Sequence, residues 1–226
     1  MPELFMNGRG RDAVTLVGGA PLATPVLEDA LTRAPRLLAA DGGADACLAR
    51  GLVPERVVGD MDSLSPEAAR RFADRLVPVP EQDSTDFAKA LRGLDAPFVL
   101  AVGFLAARVD HALAAFSHLA ERGGAAPPAI LLSEHDCIAL LPPRIDLALQ
   151  PGDRVSLWPL GPVRARSSGL RWPLEGIALD PAGRVGTSNR AEGAVRLECR
   201  GPCLLILDHA RLPALLAGLG RGAAPG

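Results

Sequence analysis

The chain has 226 residues, 48% of them apolar and 22% charged, and a formal net charge of −2. That length suits one large domain or two modest ones with a real core, and the composition excludes a disordered chain. No sustained run of Lys and Arg is present, which argues against nucleic acid or an anionic membrane as the main partner and leaves a small molecule.

The opening "MPELFMNGRGRDAV" lacks the apolar core of a secretory signal. No window reaches the roughly 20 apolar residues of a membrane span, so a cytoplasmic chain is expected. Four cysteines, Cys47, Cys137, Cys199 and Cys203, contain no C-x-x-C pair. The "CRGPC" spacing allows a hairpin disulfide, but small buried thiols are the expectation for such a chain.

From residue 13 to about residue 132, short aliphatic runs alternate with helical stretches. The runs are "AVTLVGG", "RLLAADGG", "ERVVGD", "RLVPVP", "PFVLAVG" and "PAILLSE". This alternation predicts an α/β domain, a mostly parallel sheet with helices on both faces. Thr24 followed by Pro25 reads as an N-cap and first helical residue. Further helices are expected over residues 45–50, 66–74, 85–92 and 110–122. Beyond Pro142, period-two segments broken by Pro and Gly predict an all-β sandwich with no helix before the tail. A boundary near "LLPPRI" divides the chain into residues 1–142 and 143–226, and the closing "LAGLGRGAAPG" is expected to fray.

Within "RVVGDMDSLSPE", Asp60 and Asp62 stand one residue apart. As a turn, "DMDS" needs no ligand, since Asp and Ser bond their own backbone, and Ser65 before Pro66 can open the next helix. Alternatively the two carboxylates, whose charges repel, share a hard cation such as Mg2+. Open parallel sheets bind ligands outside the carboxyl ends of their strands. Four segments deliver polar residues to that rim: Asp41 with Gly42 and Gly43, Asp60 with Asp62, Asp83 with Asp86, and the stretch from Gly103 to His111. Such a convergence favours the metal. The paired glycines, like Gly18 and Gly19, suit either a ligand's close approach or a tight strand-to-helix turn.

In "DSTDFAKAL", Ser84 or Thr85 can cap a helix, while Asp86 and Lys89 share one helical face. They are either a surface ion pair or a metal ligand beside a phosphate-binding ammonium. Arg108 can take phosphate bidentately, Asp110 can cap a helix or hold a substrate group, and His111 is given no catalytic part. Neither G-x-x-x-x-G-K-[ST] nor G-x-G-x-x-G after the first strand is present, so the usual nucleotide loops are absent and a magnesium-triphosphate site built from aspartates remains.

The pieces "ADGGAD", "VVGDMDSL", "DSTDFAKAL", "GFLAARVDHALA", "SLWPLGPV", "GLRWPLEG" and "TSN", in that order between residues 14 and 207, resemble the thiamine pyrophosphokinases. The resemblance implies an ATP- and Mg2+-binding catalytic α/β domain, a thiamine-binding β-sandwich, and a homodimer with active sites at its interface. It implies transfer of a diphosphoryl group from ATP to the hydroxyl of thiamine, giving AMP and thiamine diphosphate. It further implies that Asp60, Asp62 and Asp86 bind metal, and that Asp41, Lys89, Arg108 and Asp110 surround the nucleotide and the transferred group. Trp172, Ser188 and Asn189 are expected at thiamine. Trp172 otherwise reads as core, and "GTSN" as a turn. One departure stands out: Ala106 and Ala107 replace the family's usual Gly-Gly, which strains the loop if either needs a positive φ. Three rivals stay open: a metal-dependent phosphohydrolase, a kinase moving one phosphoryl group, and a non-catalytic thiamine- or nucleotide-binding protein.

Overall fold

The computed structural model describes residues 12–106 and 108–222. The N-terminal stretch through residue 11, Ala107 and the last four residues lie outside the described residues. The chain divides into two compact units. One runs to His118 and takes in Ala125–Glu134; the other comprises Leu119–Gly124 and everything from His135.

The first unit is built on six parallel strands: β1 (Val14–Val17), β2 (Arg36–Ala40), β3 (Arg56–Gly59), β4 (Leu76–Pro78), β5 (Val99–Val102) and β6 (Ala129–Leu132). Their order is β6-β5-β1-β2-β3-β4. Every residue of β1, β5 and β6 is buried. Strands covered on both faces need apolar side chains at each position, which is why these segments read as unbroken aliphatic runs. At the margin, β4 is short, half-exposed and ends in Pro78, a residue that an edge tolerates. The chain steps outward from β1 to β4 and then returns to place β5 beside β1. Strand order reverses between those two, where an open sheet forms its crevice.

Among the described residues this unit holds α1 (Thr24–Arg33), α2 (Gly43–Leu48), α3 (Pro66–Arg71), α4 (Asp86–Leu91) and α5 (Val109–Arg122) as far as His118. The cap expected at Thr24 is not there. Ala23 flanks α1, Thr24 is already helical, and no side chain bonds the first turn. Proline fits anywhere in a first turn, whose N–H groups lack intrahelical acceptors, so Pro25 does not mark the boundary by itself. Ser65 does cap α3, accepting from the Ala68 N–H at 3.1 Å. That helix stops at Arg71, short of the expected residue 74, and a 3-10 turn follows at Ala73–Arg75.

The second unit contains β7 (Asp136–Leu140), β8 (Arg144–Leu147), β9 (Arg154–Pro159), β10 (Val163–Leu170), β11 (Ala178–Leu179), β12 (Gly186–Arg200) and β13 (Cys203–Asp208). All pairings within it are antiparallel, in the order β11-β10-β12-β9-β13-β7 with β8 also on β12. The fifteen-residue β12 serves two sheets: its first part pairs with β9, its later part with β10 and β8. Buried Asn189, Ala191, Val195, Leu197 and Cys199 alternate with more exposed neighbours along it, the period-two pattern of a strand with one covered face.

One expectation fails here. Residues 216–222 of the segment read as a fraying tail lie in a helix, α6 (Leu212–Gly222), packed on β8 and β13, and the rest of that segment is outside the described residues. Leu212 and Leu215 are fully buried, and a Cβ on Gly218 would stand 2.9 Å from the Asp146 carbonyl oxygen. Helix and strand backbones therefore come close at Gly218, which the Gly-rich composition permits and which local propensity does not reveal. All four cysteines are free and buried. No described helix is long and apolar enough to cross a membrane.

Candidate active site

Three loops at the carboxyl edge of the first sheet build an acidic centre. Asp41 follows β2 with φ of 39°, an uncommon conformation that aspartate tolerates better than most residues. Asp60 follows β3, and Asp86 is the first residue of α4. One carboxylate oxygen from each of Asp41, Asp60 and Asp86 lies within 4.8 Å of the others. Gly59 makes the approach possible, because a Cβ there would stand 2.7 Å from the Asp41 Cβ and 3.1 Å from Asp86 Oδ1.

Lys89 sits among these carboxylates, its side chain only 1% exposed. Its Nζ donates to Asp60 Oδ2 at 2.9 Å and to Asp86 Oδ1 at 3.2 Å. Burial alone would lower the ammonium's pKa, but Asp60 and Asp86 outweigh it and raise it. Lys89 in turn holds the Asp60 carboxyl below the ordinary carboxylate range. Asp41 behaves in the opposite way. Burial pushes its carboxyl up, and the charges of Asp86 and Asp60 add to the shift against the hydrogen bond from Ser63. That bond, from the Ser63 N–H at 3.0 Å, occupies Oδ2, whereas Oδ1 is buried without a partner.

The residues fit a hard divalent cation. Three ionised carboxylates against one ammonium leave two negative charges, and an orphaned buried oxygen faces a cost that a cation would remove. Asp62 lies outside this group of three. It is exposed, and its N–H bonds Asp60 Oδ1 at 3.2 Å, so "DMDS" is indeed a side-chain-closed turn, with Met61 at φ 71°, as well as part of an acidic site. The expected metal set of Asp60, Asp62 and Asp86 thus differs from the observed cluster by Asp41 in place of Asp62.

Two clasps hold the loops, and neither is visible in sequence. Asp45 of α2 accepts from the Ser65 N–H at 3.0 Å and from the Ser65 hydroxyl, tying the Asp60–Ser65 loop to α2 across twenty residues. Glu81 closes the approach to α4: it accepts from the Asp83 N–H at 2.8 Å, the Ser84 N–H at 3.1 Å, the Ser84 hydroxyl and Arg92 Nη2 at 3.1 Å. Gln82 Nε2 reaches Asp60 Oδ2 at 3.3 Å. Thr85, one of the two expected caps, accepts from the Ala88 N–H at 3.2 Å.

The glycines divide. A Cβ on Gly43 would sit 2.0 Å from the Val17 carbonyl oxygen, and one on Gly18 would sit 2.5 Å from that of Gly103. Both are required by backbone packing between β1 and its neighbours, the tight-turn alternative. Gly42 has no contact of that severity. Arg108 and Asp110 are brought to each other rather than to the acidic centre, with Nη2 to Oδ2 at 2.6 Å and Nε to Oδ1 at 3.1 Å. Both are largely exposed. Helix α5 starts at Val109, so Asp110 stands inside its first turn and accepts from the His111 N–H.

In the second unit, Trp172 is 53% exposed, which excludes the core alternative. The Arg171 guanidinium carbon lies 5.0 Å from its ring centroid. Buried Asn189 bonds the Trp172 backbone at both ends. Ser188, at φ 62°, donates its N–H to Ser156 Oγ at 2.9 Å.

Residues 27–126 match "Thiamin pyrophosphokinase, catalytic domain" and residues 144–204 match "Thiamin pyrophosphokinase, vitamin B1 binding domain". This chain belongs to the thiamine pyrophosphokinase family. The first matched segment contains the whole acidic centre with Arg108 and Asp110; the second contains Trp172, Ser188 and Asn189. Among curated relatives, "Thiamine pyrophosphokinase 1" of Oryza sativa subsp. japonica is 27% identical over 161 residues, an alignment covering 62% of this chain and 60% of the rice protein. Among solved structures, thiamin pyrophosphokinase from Candida albicans superposes with a TM-score of 0.75 at 17% identity, covering 91% of this chain and 95% of that one. Thiamine pyrophosphokinase from Bacillus subtilis gives 0.71 at 19% identity, covering 87% and 98%. At such identities the superpositions establish a shared fold of the thiamine pyrophosphokinases.

Proposed function

We propose that the protein is a Mg2+-dependent thiamine diphosphokinase that moves a diphosphoryl group from ATP to the hydroxyl of thiamine, releasing AMP and thiamine diphosphate. The observation that carries this reading is the convergence of Asp41, Asp60, Asp86 and Lys89 at the sheet edge, inside the segment matched as catalytic.

Asp41, Asp60 and Asp86 would hold Mg2+, with Asp62 the next carboxylate along the chain. When bound, the ion supplies charge neutralisation on phosphate oxygens and acidifies a neighbouring hydroxyl. Lys89 keeps the Asp60 and Asp86 carboxylates aimed inward and adds positive potential where phosphate charge grows, a role suited to a buried ammonium. Arg108 presents a planar fork now spent on Asp110. An exposed pair of that kind is worth little, so a phosphate can take the guanidinium in its place. Arg108 also holds the Asp110 carboxyl below the ordinary range, and losing that partner makes Asp110 a better proton acceptor for the thiamine hydroxyl. Gly42 and Gly43 shape the turn that follows Asp41 at the nucleotide. On the thiamine side, the exposed Trp172 ring offers a flat apolar face, and Ser188 and Asn189 lie on β12, where the Asn189 side chain bonds the Trp172 backbone. We take the enzyme to be cytoplasmic and a homodimer, for which light scattering should give twice the chain's 23.5 kDa.

Product analysis tests the reading. Incubation with thiamine, ATP and Mg2+ should yield AMP and thiamine diphosphate in equal amounts. ADP as product would indicate transfer of one phosphoryl group, and phosphate or pyrophosphate without thiamine consumption would indicate hydrolysis. Tight thiamine binding with no turnover would leave a binding protein.

A further inference from the structure

The sheet of the second unit runs out just before Trp172. Leu170, the last residue of β10, pairs with Ala191 of β12, and the Arg171 N–H still finds the Arg190 carbonyl at 2.9 Å. The next backbone partner would be Asn189, but its main chain is in register with Val155 of β9 on the other side. The Asn189 side chain takes over. Its Oδ1 accepts from the Trp172 N–H at 3.2 Å, and its Nδ2 donates to the Trp172 carbonyl oxygen at 2.6 Å. A primary amide carries the same donor and acceptor as a peptide group, so this side chain extends the ladder by one residue.

Asn189 has little left to offer a substrate. It is only 7% exposed, and Oδ1 also accepts from the Arg190 N–H at 2.8 Å, so both lone pairs are spent. The residue it grips is in the opposite situation: Trp172 turns more than half its surface outward, with the Arg171 guanidinium against the ring. An exposed indole makes a useful platform only if its backbone is fixed, because freezing it at each binding event would cost affinity.

We propose that Asn189 is a positioning residue that acts on thiamine through Trp172, by clamping the backbone from which the indole projects, and does not itself contact the substrate. This rests on the reading that thiamine lies against Trp172. Loss of two hydrogen bonds to a fixed platform should raise the thiamine KM about tenfold in Asn189→Ala, with kcat little changed. The decisive measurement is a double-mutant cycle on the thiamine KM with Trp172→Ala. If Asn189 works only through the ring, Asn189→Ala adds nothing once the ring is gone. Multiplying effects in the double variant would mean direct contact with the substrate and overturn the proposal.

A second readout is independent of substrate. The chain has two tryptophans, so Trp158→Phe leaves Trp172 as the sole indole. In that background, Asn189→Ala should lower Trp172 fluorescence anisotropy and increase its quenching by acrylamide. The isosteric Asn189→Asp, which sets a carboxylate oxygen against the Trp172 carbonyl, should do the same while the chain stays folded. Parental anisotropy and quenching in both variants would overturn the clamp. A changed fluorescence together with an unaltered KM in Trp172→Ala would uphold the clamp and remove the thiamine platform instead.

Discussion

Asp41 is the residue on which the chemistry of the acidic centre turns. Its buried, half-satisfied carboxylate is raised by burial, so a proton competes for it at higher pH than for an ordinary aspartate. Cation affinity should therefore fall as pH is lowered through that raised pKa, and calorimetric Mg2+ titrations across pH should show the loss beginning above the usual carboxylate range. Without cation the sign reverses for stability: a folded-state carboxyl raised above its unfolded value favours the fold at low pH and loses that contribution as pH rises. Asp41→Asn keeps an acceptor for Ser63 and removes a repelled charge. It should preserve or increase thermal stability while cutting turnover on the order of 100-fold or more. Lys89→Ala should do the reverse to the fold, costing about 2 kcal/mol in urea unfolding because Asp60 and Asp86 lose a charged hydrogen-bond donor. The sequence showed that Asp41, Asp60 and Asp86 lie on one rim. It did not show that Asp41 joins the cluster while Asp62 faces solvent, because a chain alternating in and out of a turn is decided by one φ angle, here that of Met61.

At the scale of elements, the loop from Glu81 to Thr85 decides where α4 begins and hence where Asp86 and Lys89 point. Thr85→Ala removes a cap and should cost about 1 kcal/mol. Glu81 is held at about 2 against an ordinary 4.5, first by the Ser84 hydroxyl and then by Arg92 and two backbone N–H groups. A depressed carboxyl contributes stability that is present above pH 4.5 and is lost as pH falls toward about 2. An NMR titration of the Glu81 side chain should show that low midpoint, and a midpoint near 4.5 would mean the clasp is not formed in solution. Strands β1, β2, β3, β5 and β6 were legible because burial on both faces demands aliphatic runs, and α3 because Ser65 and Pro66 announce it. The Asp45–Ser65 and Glu81 clasps were not, since a hydrogen bond spanning twenty residues, or one made by a glutamate in a turn, leaves no local signature.

Over the whole molecule, the two units present two kinds of surface chemistry. The parallel unit gathers charge at strand ends, where loops and helix starts converge; the antiparallel unit exposes an aromatic ring just past the end of β10. The change of periodicity near Pro142 pointed to two units, but the second takes in everything from His135 together with Leu119–Gly124, and α6 was hidden in a Gly-rich segment whose helicity comes from packing on β8. Trp172→Ala should leave the melting temperature nearly unchanged, as its ring is exposed, and raise the thiamine KM; unfolding would contradict the geometry of the second unit. The central claim is that acidic side chains from three loops hold one divalent cation, and Mn2+ binding followed by electron paramagnetic resonance tests it directly. A tight site is expected in the parent protein, lost in Asp41→Asn and Asp60→Asn while both remain folded. Undiminished Mn2+ binding in the two variants would contradict it.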